Sequence, residues 1–421
     1  MAEGYRLSGS NIYEVNLRQY TNEGTFNAFA KHLPRLKAMG VEILWFMPVH
    51  PIGRDRRKGL LGSYYSIMDF HGINAEFGTE DDFHVLIMMI HSLGMKVMLD
   101  WVANHASWDN VWTKDHPEFF CRNSEGGFMP PYDWDDVIQI DHSNEGQQLA
   151  MITAMEYWVK QFKIDGFRAD LAHLTPLKFW IRAKDHLQRI NKDLIWLAET
   201  EEHEYHQVFD ISFTWEWMHT SESFVKKRTS VDLIRESIIR AMSFYPDKYR
   251  LYFTSNHDEN SWNGTEYEKY GHFAQAFAVI SCTLPGSVPL LYSGQEIPNQ
   301  RRLIFFDKDH LEWTQGIHLD SFYKNLFELR KSHHVFHSIE GFTFIDLEEI
   351  LCYIINCNDM VVCVLINLSV NKSIGNLVNH LLTGEFQDII TGSVLTLSGK
   401  VDYELISGGY LVLANIKKAG I

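Results

Sequence analysis

Four acidic residues stand out for where they fall in the hydrophobic pattern. Asp100 closes the apolar run 96–100, Asp170 closes 166–170, Glu199 closes 194–199, and Asp258 lies just beyond 251–255. Runs this short and this apolar are of the kind that strands buried on both faces make. If such strands lie parallel, their C-terminal ends share one rim, and the four carboxyls converge from distant parts of the chain. Crowded carboxyls repel, so one retains a proton while a neighbour stays ionised. A proton donor facing a carboxylate is what glycosidic bond cleavage requires. Any one of the four, taken alone, reads more readily as an ion-pair partner or a cap at a strand end. Their recurrence at four strand ends favours chemistry.

The elements that must position them alternate along more than 300 residues. Strand-like runs are predicted at 12–17, 41–47, 96–100, 166–170, 194–199, 208–211, 251–255 and 288–292. Helical periodicity falls between them at 26–38, 81–93, 147–163, 177–190, 231–243 and 272–282. Eight such strands suit a closed (β/α)8 barrel, with a doubly wound sheet as the alternative. The interval from Asn104 to Ser143 turns polar and aromatic, with Trp108, Trp112 and Trp134, and reads as an insertion after the third strand. After about Ser338, alternating runs at 349–356, 360–367 and 409–414 predict a small antiparallel β domain. The expected division is therefore a barrel over 1–104 and 143–337, an inserted domain over 105–142, and a C-terminal β-sandwich domain over 338–421.

Composition narrows the function. The chain has 421 residues, 45% of them hydrophobic and 22% charged, which fits a globular protein with a sizeable core. Its 38 basic residues against 54 acidic ones give a net charge of −16, the wrong field for nucleic acid or an anionic membrane. The uncharged stretch 273–293 is interrupted at Pro285-Gly286 and reads as helix, turn and buried strand. Met1–Arg6 offers no apolar signal core, and the five cysteines, odd in number and without a CxxC pair, suit a reducing, cytoplasmic setting, with a mature secreted or periplasmic form whose signal has been removed as the alternative. There is no Walker loop, no GxGxxG and no GxSxG.

Several segments together resemble the α-amylase family of glycoside hydrolases (family 13). Asp100-Trp-Val-Ala-Asn104-His105 is similar to its first motif, DxVxNH. Gly166-Phe-Arg168-Ala-Asp170 matches GFRxD, Glu199 sits in the place of the family's proton donor, and Asn256-His257-Asp258 matches NHD. Tyr65, Phe77-Gly78-Thr79 and Gly294-Gln295-Glu296 resemble further family segments in the same order. The resemblance implies a barrel enzyme in which Asp170 is the nucleophile, Glu199 the general acid/base and Asp258 the third carboxylate. It implies that Tyr65, His105, Arg168 and His257 bind or orient the sugar, with Asp100 supporting Arg168. The implied substrate is an α-glucan. The same residues serve α-glucosidases and glucan transglycosylases of the family, and a non-catalytic glycan-binding protein is a more distant reading. Oligomeric state is left open.

Three departures from the family pattern shape the expectations. Leu171-Ala172-His173 replaces a common Lys-His that follows the nucleophile, altering the leaving-group side. Asn104 occupies a calcium-ligand position, yet Gln139 stands where the family often has a calcium-binding Asp, so calcium is expected to be absent or weak and no cofactor is needed for the chemistry. Family members acting as exo-α-glucosidases place an Asp directly after the stacking Tyr. Here that position is Ser66, which points to internal cleavage, with Trp108, Trp112, Trp134 and Trp262 as candidate stacking surfaces for further sugars.

Overall fold

A computed structural model of the chain describes residues 7–227, 229–244, 248–313, 318–337 and 339–416. Met1–Arg6 and the expected boundary residue Ser338 lie outside the described residues. Ten strands build the first part: β1 (Ile12–Val15), β2 (Ile43–Phe46), β3 (Lys96–Trp101), β4 (His105–Ser107), β5 (Val137–Gln139), β6 (Gly166–Ala169), β7 (Ile195–Ala198), β8 (Ile211–Phe213), β9 (Tyr249–Tyr252) and β10 (Ser287–Tyr292). Eight of them close a barrel in the order β1-β10-β9-β8-β7-β6-β3-β2, every pairing parallel. This is the (β/α)8 barrel.

Strand side chains alternate between two cores. Tyr13, Leu44, Val97, Phe167 and Trp196 point outward into the large core beneath the helices. Ile12, Ile43, Met98, Ile195 and Leu251 point into the barrel and form a second, enclosed core. A period of two therefore places Glu14, Trp45, Asp100 and Arg168 on the inner face as well, one step nearer the rim than the apolar plug. Two more inward steps, along β6 and β7, lead to Asp170 and Glu199. Gly166 permits this register, because a Cβ there would meet the Ile195 carbonyl oxygen at 2.3 Å.

The expected helix over 26–38 is two pieces, Phe26–Ala30 and Leu33–Met39. Pro34 accounts for the break, since it lacks an N–H for the preceding turn and is placed in the first turn of the second piece. The stretch 273–293 is the helix Ala274–Thr283 followed by buried β10. Among the described residues no helix is long and apolar enough to cross a membrane.

The inserted segment is small. β4 and β5 pair antiparallel, His105 opposite Gln139, and the loop between them packs Trp112 and Phe119 inward. The C-terminal domain is a six-stranded antiparallel sheet: β11 (Phe342–Leu347), β12 (Ile350–Cys357), β13 (Met360–Asn367), β14 (Ser373–Asp388), β15 (Val394–Leu405) and β16 (Tyr410–Asn415), in the order β11-β12-β13-β16-β14-β15. One face of β12 and β13, with Leu351, Tyr353, Val362 and Val364, joins the barrel's outer core. The opposite face, with Cys352, Ile354 and Cys363, meets Leu377, Leu382, Phe386 and Val401 of the long β14–β15 hairpin. A register shift between Val378 and Thr383 marks an irregularity of the kind that bends a strand, so a single sheet can close on itself like a sandwich.

Candidate active site

The described residues bring the carboxylates together around one cation. The Arg168 guanidinium, 1% exposed, donates from Nη1 to Asp100 Oδ1 at 2.8 Å and to Asp170 Oδ1 at 2.9 Å, and Nη2 lies 2.7 Å from Glu199 Oε2. Three rings surround it: Trp45 at 4.9 Å, Phe213 at 5.5 Å and Tyr65 at 5.9 Å from the guanidinium carbon. Asp100 has its second oxygen occupied by Trp45 Nε1–H (3.1 Å) and Tyr65 O–H (3.0 Å). It is saturated with donors and fully buried, which fits a support for Arg168. Glu199 Oε2 also accepts the Leu171 backbone N–H at 2.9 Å. Leu171 has φ +40°, a left-handed conformation that L residues adopt at a cost of about 1 kcal/mol or more, and it sits directly after Asp170. Asp170 differs from Asp100 in one respect: its Oδ2 is buried with no partner among the described residues.

On the opposite side of the barrel mouth, His257 stacks on Tyr65 with ring centroids 5.3 Å apart, and its Nε2 lies 2.7 Å from the Tyr65 hydroxyl. Asp258 Oδ2 is 3.4 Å from the same nitrogen, and its side chain is 40% exposed, so it faces the cleft. A cavity beside Glu199 is lined by Leu171, His173, Glu201, Glu202 and Trp215. His173 and Trp215 thus face the space where the expected Lys-His is missing.

Burial dominates the titration of this group. It drives Asp170 well above the ordinary carboxylate range, Arg168 opposing and Glu199, Asp100 and Asp258 adding to the rise. Glu199 is raised for the same first reason, with Arg168 opposing and Asp258 reinforcing. Asp100 is raised by burial too, against Arg168 and His257. His257 moves the other way from a buried base: burial pulls it down, but Asp258 and Glu14 more than offset this and lift it to about 9. His105 is pushed down to about 4 by burial and is neutral at neutral pH.

Asn104 and His105 lie at the root of the inserted segment. His105 Nδ1 is 2.6 Å from Asn104 Oδ1, the ring also bonds the Tyr65 backbone, and its face meets the edge of Trp134 at 5.7 Å. His105 therefore holds the Tyr65 loop to the insertion. Calcium needs several uncommitted oxygens of net negative charge. Here Asn104 Oδ1 is engaged by His105, and Lys58 Nζ sits 2.8 Å from Asp135 and 3.0 Å from Asp136. Asp133 is exposed, and among the described residues no cluster of three His, Cys, Asp or Glu can hold a metal. The oxygens a calcium ion would draw on at Asn104, Asp135 and Asp136 are thus committed to protein groups.

The aromatic candidates divide. Trp112 is 9% exposed and stacks on Phe70 at 4.9 Å, so it is packing and not a sugar platform. Trp108 is covered by the Arg56 guanidinium at 3.4 Å. Trp262 is 51% exposed beside Phe305 and Phe306, and Tyr132, absent from the sequence candidates, is 69% exposed against Trp134. Sequence reasoning also passed over Glu14, Trp45 and Lys58. For Glu14 a signal existed, an acid in the middle of a strand apolar on both sides.

The model of the α-amylase catalytic domain matches residues 10–135. Over almost the whole chain the fold superposes on a noncanonic maltogenic α-amylase, AmyB, from Thermotoga neapolitana, with a TM-score of 0.88, 28% identity, and coverage of 98% of this chain and 100% of that one. In its barrel sequence and in its whole fold the chain is similar to the α-amylase family of glycoside hydrolases. Among curated family members, α-amylase 2 of Dictyoglomus thermophilum is 24% identical over 92% of this chain and 71% of its own length. An α-1,4-glucan:maltose-1-phosphate maltosyltransferase of Pseudomonas aeruginosa is 33% identical over 38% of this chain, the match taking in only 27% of that longer family member.

The raised carboxyls make a stability prediction. A carboxyl whose pKa is higher in the folded than in the unfolded protein binds its proton more tightly when folded. Its stabilising contribution is complete below the unfolded value, near 4.5 for Glu, and is lost as pH rises through the folded value. Glu199→Gln keeps an oxygen for Arg168 and Leu171 but has no charge to bury. Its melting temperature is expected to exceed the parent's at about pH 8, with the gap closing toward about pH 4. Thermal melts across that range check this; a variant less stable than the parent at the alkaline end contradicts it.

Proposed function

We propose that the protein is a retaining glycoside hydrolase that cleaves α-1,4-glucosidic bonds within starch or long maltodextrins. The observation that carries this reading is the pairing of Asp170 and Glu199 on one guanidinium, with Asp170 Oδ2 left unengaged. In the first step Asp170 Oδ2 attacks the anomeric carbon while the bond to the leaving oxygen breaks. Glu199 gives that oxygen its proton, on the side where the cavity past His173 and Trp215 receives the departing chain. In the second step Glu199 takes a proton from water, the water oxygen displaces Asp170, and the α configuration is restored. Asp258, exposed to the cleft, grips sugar hydroxyls, and Tyr65 stacks on the ring being cleaved.

Internal cleavage is supported at Ser66. Its hydroxyl is committed to the Asp136 carbonyl at 3.1 Å, so no carboxylate follows Tyr65 to grip a chain end. Trp262 and Tyr132 offer exposed rings for additional sugars. Glycosyl transfer to a sugar acceptor is the second reading, favoured by the match to a maltosyltransferase.

On soluble starch, viscosity is expected to fall well ahead of the rise in reducing ends, and the first products to carry the α anomer. Glucose as the main early product, with maltose cut as readily as long chains, replaces internal cleavage with exo-action; β-anomeric product removes the retaining mechanism. Glu199→Gln and Asp170→Asn are expected to lose at least about 10²–10⁴ in turnover on a maltooligosaccharide. Calcium is proposed to be dispensable, because Asn104 Oδ1 is engaged by His105 and the Lys58 ammonium already pairs with Asp135 and Asp136 of the insertion. Chelation is expected to leave the melting temperature unchanged, and a large drop restored only by calcium overturns that view.

A further inference from the structure

We propose that Glu14, on the inner face of β1, is a positioning residue for this reaction: it holds His257 as an imidazolium with both ring N–H groups engaged, fixing the Tyr65–Asp258 side of the cleft. The inference rests on the glycosidase reading for its role and on geometry for the contact itself. Glu14 is fully buried, and its Oε1 lies 2.5 Å from His257 Nδ1. Its Oε2 is buried with no partner among the described residues. Ile12, the preceding inward position on the same strand, is an ordinary apolar core residue. A charge in the next position costs desolvation that a hydrophobic side chain would avoid, and burying an ion pair there gives the fold little in return. The pair is therefore better explained by what it does to His257.

The hydrogen-bond directions define the charge state. Tyr65 O–H donates to Asp100 Oδ2 at 3.0 Å, so the Tyr65 oxygen is left to accept from His257 Nε2–H at 2.7 Å. Burial raises Glu14, with His257 and Arg168 opposing the rise. We assign the proton between Glu14 Oε1 and His257 Nδ1 to the ring, which leaves Glu14 an ionised carboxylate that can only accept. With both nitrogens protonated the ring is cationic. A continuous chain then runs from Glu14 through His257, Tyr65 and Asp100 to Arg168, and so to both Asp170 and Glu199.

The groups around the ring come from every side. Glu14 faces it from β1, the edge of Trp45 from β2, Asp100 from β3, Arg168 from β6, Glu199 from β7, and Asp258 from its own segment. Tyr292 of β10 lies close to Glu14 and Asp258, and Phe305 stacks on the ring's outer side at 6.4 Å. Burial and Arg168 oppose a charge on His257, while Asp258 and Glu14 favour it, leaving the ring titrating near 9 against an ordinary 6.5. Removing the Glu14 charge takes away the one buried carboxylate on Nδ1. A neutral ring then either loses the Nε2–H that Tyr65 accepts or gives up its bond to position 14. The Tyr65 hydroxyl loses its fixed direction toward Asp100.

The test compares the parent with Glu14→Gln, which keeps size and hydrogen-bonding capacity but not charge. In histidine 15N-labelled protein, His257 of the parent is expected to stay imidazolium to beyond about pH 8, and in Glu14→Gln to titrate at least about one unit lower. Turnover on a maltooligosaccharide is expected to fall by roughly tenfold or more at about pH 8, in kcat more than in KM, with the deficit narrowing at about pH 5.5 where the ring is recharged. A parent His257 that is neutral at about pH 8, or a ring that titrates alike in both proteins, overturns the proposal. So does a deficit of equal size at every pH, which is what a merely structural residue gives. The titration needs no substrate, so the parent spectrum decides the contact even if the variant folds poorly. A protein that hydrolyses no glucan at all refutes the proposed function while leaving the titration to judge Glu14.

Discussion

The Arg168 guanidinium is the interaction on which the rest of the site depends. Three carboxyl groups come from three different barrel strands, and the Nη1 and Nη2 groups of one planar cation bring them to fixed positions. The barrel provides what such a cluster needs. Gly166 lets β6 approach β7 closely enough to bring Arg168 and Glu199 into one register, and the rings of Trp45, Phe213 and Tyr65 cover the guanidinium on its apolar faces. A lysine has one point charge and could not replace this geometry.

Charge explains why the arrangement is costly and useful at once. Glu14, Asp100, Asp170, Glu199 and Asp258 gather around only Arg168 and His257. Burial raises Glu14, Asp100, Asp170 and Glu199 alike; Asp100 has both oxygens engaged by donors, whereas Asp170 keeps an oxygen free and, like Glu199, is pushed up further by neighbouring carboxylates. A site in which one carboxyl readily holds a proton while its neighbour keeps a free oxygen is poised for acid and nucleophile roles. The surface elements repeat the theme with cheaper parts. Lys58 on Asp135 and Asp136, Arg56 on Trp108 and His105 on the Tyr65 backbone fasten the inserted segment to the barrel through protein groups alone.

Much of this was legible in the sequence. The eight barrel strands lie at or within a few residues of the apolar runs, and Asp100, Asp170, Glu199 and Asp258 converge as strand-end carboxyls in a parallel barrel must. Less legible features share a physical cause: they depend on partners distant in sequence. Glu14 has meaning only beside His257, more than two hundred residues away. Trp112 carries the same side chain as Trp262, and only the Phe70 ring packed on it separates core from surface. Along β14 exposed and covered residues do alternate, but the exposed Ile374 and Val378 and the register shift between Val378 and Thr383 hide that period in the sequence. Lys58 in a run of basic residues gives no sign that two aspartates of the insertion wait for it.

Formation of a covalent ester on Asp170 is the most direct test of the account. Incubation with a fluorinated α-glycosyl donor bearing a good leaving group slows breakdown of that ester relative to its formation. Mass spectrometry of the intact protein, then of its peptides, is expected to show one glycosyl unit added and located at Asp170, accumulating in the parent and absent from Asp170→Asn. A label on another carboxylate, or steady turnover of the donor by Asp170→Asn, would contradict the assignment of Arg168 as the clamp that readies Asp170.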